Sequence, residues 1–280
     1  MNKILIIDGS NLLFQMFYGM PSRITGKDGR HIQGTLGFIG ALLKMVRQTT
    51  PSHLVVVFDG ECENERSNIN PDYKANRKDF SQIPEEETPF SQLPDIYAAL
   101  DFLGVRHTET TVCETDDLIA GYAFTYGGDN EIIISSHDSD FFQLITNQVY
   151  VLRYRGESTV ICDKRYIINK FGVLPSQYAD LKAITGDKAD NIIGAEKVGP
   201  KNAALLLRDY QSLDGVLQNA HMISKPSIKD SIVRNTERLR NNYKLIKLEN
   251  NNELPFKLDD IKFSLPSVTT RDILKAINII

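Results

Sequence analysis

Three short runs of apolar and β-branched residues, Lys3 to Ile7, Leu54 to Phe58 and Glu131 to Ser135, each stop at or just before an aspartate. Runs of this length and composition read as strands, and the helical patterns between them are the βαβ signature of a parallel sheet. Parallel strands end on one edge, and that edge is where open α/β sheets bind ligands. Asp8, Asp59 and Asp138 are therefore expected at one crevice, joined by Glu114, Asp116, Asp117, Asp140, Asp187 and Asp190. Carboxylates brought together repel unless a cation compensates them. Hard oxygen donors with almost no His or Cys beside them suit Mg²⁺ or Mn²⁺ far better than zinc. Two such ions about 3.5–4 Å apart are the arrangement that hydrolyses phosphodiesters.

The 280 residues, 41% hydrophobic and 24% charged, suffice for one sizeable core with an appended lobe. No apolar run approaches the ~20 residues of a membrane span, and Met1 to Ile7 enters a strand pattern rather than a signal peptide. A soluble cytoplasmic protein is expected. Cys62, Cys113 and Cys162 are odd in number and far apart, which favours reduced thiols over disulfides or a zinc site. The formal charge of −4 looks wrong for a nucleic-acid binder, but the nine acids above contribute −9 and leave the rest of the chain at +5. Divalent ions would return positive charge to the acids.

An α/β part over residues 1–170 and a helical part over 171–280 are expected. Leu36, Ile39, Leu42, Leu43 and Val46 recur at helical spacing, whereas between Glu61 and Pro94 the periodicity fails. A non-periodic segment of that length inside a compact domain is usually functional. Further on, the spacing predicts helices from Gln92 to Leu103 and from Glu114 to Tyr126, a hairpin from Gln148 to Ile161, and helices over Pro175 to Thr185 and Lys201 to Arg208.

Taken singly, each motif has an ordinary explanation. Thr115 or Asp116 could cap a helix, but Glu114 and Asp117 at i,i+3 share one helix face and repel unless something cationic lies between them. Asp138-Ser139-Asp140 alone reads as a turn, with His137 an exposed turn residue. Asp187 and Asp190 repeat the i,i+3 pairing. Tyr73, Lys74, Arg77 and Lys78 combine an aromatic face with cations, suited to stacking and pairing with a single strand, although a solvated charge run would look similar. Val198-Gly199-Pro200-Lys201 brings a helix N-terminus and a lysine to where a phosphate could bind, or merely stops one helix and starts another. The conjunction favours a metal-dependent nuclease.

In order and spacing these motifs, from Ile6-Ile7-Asp8-Gly9 through Phe58-Asp59-Gly60, Tyr73-Lys74-Ala75-Asn76-Arg77, Glu114-Thr115-Asp116-Asp117, Asp138-Ser139-Asp140, Gly186-Asp187 and Asp190-Asn191 to Val198-Gly199-Pro200-Lys201, resemble the 5′ nucleases. That family includes bacterial flap endonucleases and the N-terminal nuclease domain of bacterial DNA polymerase I. The resemblance implies a PIN-like, mostly parallel sheet flanked by helices, a helical arch at about 61–90, and a helix-hairpin-helix at about 175–208. It implies one metal served by Asp8, Asp59, Glu114 and Asp116, a second by Asp138, Asp140, Asp187 and Asp190, and Asp117 close to both. The ions would be two Mg²⁺ or Mn²⁺, with a monovalent ion such as K⁺ on the hairpin carbonyls. Lys74 and Arg77 would grip the scissile phosphate above Asp116, Tyr73 would stack on a base, and Arg66, Lys78, Lys197 and Lys201 would complete the DNA contacts. The partner would be DNA with a 5′ flap or 5′ end, RNA-primed ends among them, bound by a monomer acting as 5′-3′ exonuclease and flap endonuclease in replication and repair. No polymerase sequence follows Ile280, which suggests a stand-alone nuclease or an excised domain. Lys197 departs from the family by replacing the first hairpin glycine, Ser139 by replacing a basic residue, and Glu85 to Glu87 by lying near a DNA strand. The rival expectations are a PIN-like ribonuclease and a DNA-structure-binding paralogue without turnover.

Overall fold

The β-branched runs form the centre of a six-stranded sheet. The computed structural model describes residues 1–60, 66–111, 113–249 and 252–280. Strands β1 (Lys3–Asp8), β2 (His53–Phe58), β3 (Arg106–Glu109), β4 (Glu131–Ser135), β5 (Val149–Arg153) and β6 (Val160–Cys162) stand in the order β3-β2-β1-β4-β5-β6. Every neighbouring pair is parallel except the β5–β6 hairpin. The strand order reverses between β1 and β4, so their crossovers leave on opposite faces and open a crevice at the carboxyl ends. Asp8 ends one of these strands and Asp138 follows the other.

Alternation along the strands supplies a core on each face. Ile4, Ile6, Val55, Val57, Ile132 and Ile134 belong to one, and Leu5, Ile7, Leu54, Val56 and Ile133 to the other. The second face is covered by α1 (Gly9–Gly19) and α2 (Gln33–Thr49), then, beyond the four-residue α3 (Arg66–Ile69), by α4 (Leu93–Phe102). The first is covered by α5 (Thr115–Tyr126) and by the helical region. That region comprises α6 (Lys164–Phe171), α7 (Tyr178–Thr185), α8 (Pro200–Tyr210), α9 (Leu213–Gln218), α10 (Pro226–Arg234), α11 (Thr236–Ile246) and α12 (Thr270–Ala276). Helix α12 returns to the α/β part, where Ile273 and Leu274 join the second core beside α2 and α4.

A two-residue strand pair, β7 (Gly186–Asp187) and β8 (Ile192–Ile193), carries the Asp187 and Asp190 loop. Gly186 at φ +81° and Gly194 let the two backbones touch, since a Cβ on Gly194 would lie 2.2 Å from the Thr185 carbonyl carbon.

The non-periodic segment differs from the helical arch expected of it. Its first residues, 61–65, lie outside those described, and so does Cys62. Beyond α3 it runs as turns over 71–77 and two 3₁₀ turns, Glu85–Glu87 and Pro89–Gln92. Lys74 sits at φ +58°, so the backbone reverses there instead of propagating a helix. Cross-links hold this turn to the Asp187–Asn191 loop: Lys74 N–H donates to the Asp190 carbonyl (3.0 Å), Asn76 to the Lys188 carbonyl (2.9 Å) and Asn191 to the Asp72 carbonyl (2.9 Å). No helix among the described residues is long and apolar enough to cross a membrane.

Candidate active site

Asp8 is the last residue of β1 and the N-cap of α1, and both of its oxygens are held: Oδ1 accepts from Asn11 N–H (3.0 Å) and Oδ2 from the Ser136 hydroxyl (2.8 Å). The Ser136 hydroxyl also receives the Asp138 N–H (2.9 Å), and Asp138 Oδ1 accepts the Asp140 N–H (2.8 Å). The ends of β1 and β4 are thereby locked at the switch point. Asp59 follows β2 directly, its N–H donating to the Ser10 hydroxyl (2.8 Å). Asp116 enters from the first turn of α5. Asp8, Asp59, Asp116 and Asp138 line one cavity of about 650 Å³, faced by Lys74, Arg77 and Lys78.

Their mutual field is large. Burial and then the Asp59 charge push Asp8 up to about 7, against the opposing Asn11 and Ser136 hydrogen bonds. Burial, followed by the charges of Asp138 and Asp8, raises Asp116 well above the usual carboxylate range. Carboxyl groups driven upward by one another are groups that a cation would bring back to the ionised form. An all-oxygen donor set of this kind fits a hard divalent ion.

A second cluster lies beside the first. One oxygen each from Asp140, Asp187 and Asp190 fall within 4.8 Å of one another, the only such trio among the described residues. Lys182, from the middle of α7, makes salt bridges to both Asp140 and Asp187 although only 7% exposed. Burial alone would lower Lys182, but the Asp140 and Asp187 charges outweigh it and hold the ammonium well above its ordinary range. Burial conversely pushes Asp140 upward while Lys182 pulls it back. Asp190 pairs with Arg77 at 3.0 Å.

Three of the expected site residues are placed elsewhere. Asp117 does not line the acidic cavity; it is buried, binding Arg66 (2.9 Å) and accepting the Glu249 N–H (2.9 Å). The cation that the Glu114–Asp117 spacing requires is thus Arg66, which also bonds Glu114 and the Lys247 carbonyl (3.2 Å). Arg66 is buried as a strut of the fold and is not presented to a phosphate. Tyr73, 6% exposed, packs into the first core, with its hydroxyl 3.4 Å from Glu114, and has no open face for a base. Glu114 lines the cavity but already holds Lys74 at 3.0 Å; although burial alone would raise it, Lys74 and Arg66 keep it below its ordinary value. Lys197 and Lys201 are exposed at the α8 entrance. Lys197 adopts φ +66°, the left-handed backbone that a glycine would take without strain.

Two features escaped the sequence reading. One is Lys182, whose signal is a lone cation inside the otherwise buried run Tyr178 to Ile184. The other is an aromatic wall of the acidic cavity, where Phe14 meets Phe80 (5.8 Å) and Phe90 (5.6 Å) edge to face beside Tyr18. Lys78 lies 5.2 Å from the Phe80 ring centre. The helical spacing of Phe14 and Tyr18 was visible, but Phe80 and Phe90 join them only through the irregular turns.

Comparison with known proteins agrees with this geometry. The family model described as the 5′-3′ exonuclease N-terminal resolvase-like domain matches residues 3–172, and that of the 5′-3′ exonuclease C-terminal SAM fold matches 173–269. A 5′-3′ exonuclease of Aquifex aeolicus is 32% identical over 272 residues, covering 96% of this chain and 89% of the relative. DNA polymerase I of Borreliella burgdorferi is 30% identical over 257 residues, covering 91% of this chain, which spans 28% of that longer relative. In fold, the chain is similar to the bacteriophage T5 D15 flap endonuclease solved with DNA and metal ions, at a TM-score of 0.70 and 21% identity over 98% of this chain and 99% of that one.

Proposed function

The chain belongs to the 5′-3′ exonuclease family, and from that premise we propose that it cuts DNA phosphodiesters at 5′ ends and 5′ flaps. The observation that carries the reading is one cavity lined by five carboxylates, Asp8, Asp59, Glu114, Asp116 and Asp138, together with Lys74, Arg77, Lys78 and an aromatic wall. Divalent cations, Mg²⁺ or Mn²⁺, held by these acids and by Asp140, Asp187 and Asp190, would supply the charge neutralisation and water activation that hydrolysis needs.

The residues divide the remaining work. Lys74 and Arg77, now paired with Glu114 and Asp190, would exchange those partners for the scissile phosphate and stabilise its developing charge. Phe80 and Tyr18, with Lys78 above their rings, offer unpaired bases the stacking surface that the buried Tyr73 cannot. Lys197, Lys201 and the N-terminus of α8 would hold the duplex by its phosphates. A K⁺ ion on the hairpin carbonyls belongs to the same proposal, although the Gly194 carbonyl is already engaged by Arg238 (3.0 Å). The products would carry a 5′-phosphate and a 3′-hydroxyl, and a cytoplasmic monomer meeting replication or repair intermediates is the setting we propose.

Asp116→Ala is expected to abolish Mg²⁺-dependent cleavage of a 5′-flap DNA while duplex binding stays measurable by anisotropy. Wild-type turnover in that variant would refute the assignment. Preference for a labelled RNA stem-loop over the DNA flap would favour a ribonuclease instead.

A further inference from the structure

The two acidic clusters are built differently. Asp140, Asp187 and Asp190 have drawn together around cations, Lys182 touching Asp140 and Asp187 and Arg77 touching Asp190, so three negative charges meet two positive ones. Asp8, Asp59, Asp116 and Asp138 form no salt bridge among the described residues, and no three of them approach as closely. Lys74, which lines the same cavity, is engaged with Glu114. Like charges spread when uncompensated and collapse when neutralised. The contrast therefore marks one cluster as holding no salt-bridged cation among the described residues and the other as already holding a side-chain cation.

We propose that Lys182 is a resident counter-cation of the Asp140–Asp187–Asp190 cluster, and that it makes the two clusters take up divalent ions in a fixed order. The Asp8–Asp59–Asp116–Asp138 cluster loads first, because no side-chain cation must be expelled from between its carboxylates. The other loads second, because a divalent ion must expel an ammonium held by two carboxylates inside the protein. Lys182 is thus a positioning residue: it preforms the second cluster without metal and sets the concentration at which that cluster fills. The proposal rests on the metal-dependent reading above.

The test is a Mn²⁺ titration of the full chain without DNA, followed by electron paramagnetic resonance and calorimetry. Wild type should bind in two separated steps. Lys182→Met should leave the first step in place and tighten the second by on the order of tenfold or more, because one competing charge is gone. Lys182→Arg, which keeps the charge, should retain the separation. In EDTA, Lys182→Met should melt lower than wild type and recover more of its Tm on adding Mn²⁺, which loss of a merely structural lysine would not produce. Lys182→Gln provides the same comparison should the methionine variant fail to fold. Two unchanged steps in folded charge-free variants would overturn the role of Lys182 while leaving the metal reading intact; absence of Mn²⁺ uptake by wild type would overturn both.

Discussion

At the residue scale the consequences follow from where protons and charges sit. Asp8 carries a carboxyl whose folded value is about 7 against 3.8 when free. Between those values the folded state keeps a proton that the unfolded chain has released, so the Asp8 contribution favours folding less and less as pH rises, and its loss is complete above about 7. Metal-free protein in EDTA should therefore lose stability from pH 5 to pH 8, by up to roughly 2.5 kcal/mol from this group. Urea unfolding would measure it. Asp8→Asn, which keeps a capping oxygen for Asn11 N–H, should flatten the profile, and Mg²⁺ should stabilise wild type more at pH 8 than at pH 5. A flat profile in the wild type would contradict the coupling among these acids. The motif residues themselves were legible in the sequence, because Asp, Lys and Arg at those spacings have few ordinary roles in combination. Their partners were not. Nothing in the spacing of Glu114 and Asp117 says whether the cation between them is a metal or an arginine 48 residues upstream of Glu114.

At the scale of elements, Arg66 is the junction at which α3, α5 and the end of α11 meet, through Glu114, Asp117 and the Lys247 carbonyl. Replacing Arg66 by Met leaves the buried Asp117 without its counter-charge and Glu114 with Lys74 alone, and losing one partner of a buried ion pair costs about 3–5 kcal/mol. Urea denaturation should show that loss, and Mg²⁺ should not restore it, since Asp117 does not line the acidic cavity. If Arg66 instead served phosphate, the variant would be as stable as wild type and weakened only in DNA binding. The strands and long helices were readable from periodicity, since β-branched alternation and helical spacing persist over enough residues to be unambiguous. The segment from 66 to 92 was not, because its conformation depends on hydrogen bonds to the Asp187–Asn191 loop more than a hundred residues away. The edge strand β3, whose residues Arg106 to Glu109 are polar and only partly covered, likewise has no hydrophobic pattern to announce it.

At the scale of the whole molecule, a net charge of −4 leaves the chain at +5 once the nine acids are set aside, and Lys197 and Lys201 stand exposed at the α8 entrance. Lys201→Ala should weaken binding to duplexes of any sequence alike and reduce the steepness of log Kd against log salt by about 1. Anisotropy titrations over a range of KCl concentrations would show this, and an unchanged slope would remove Lys201 from the DNA contacts. The sequence by itself determined the parallel sheet, the edge where its acids gather and the class of ion they suit, because strand periodicity and donor chemistry are local properties. The tertiary structure alone decided which acids remain open to a cation, which are occupied by Arg66 and Lys182, and that Tyr73 is core while Phe80 faces the cavity. Charge pairing and burial depend on distances through space, and residues far apart along a chain acquire those distances only when it folds.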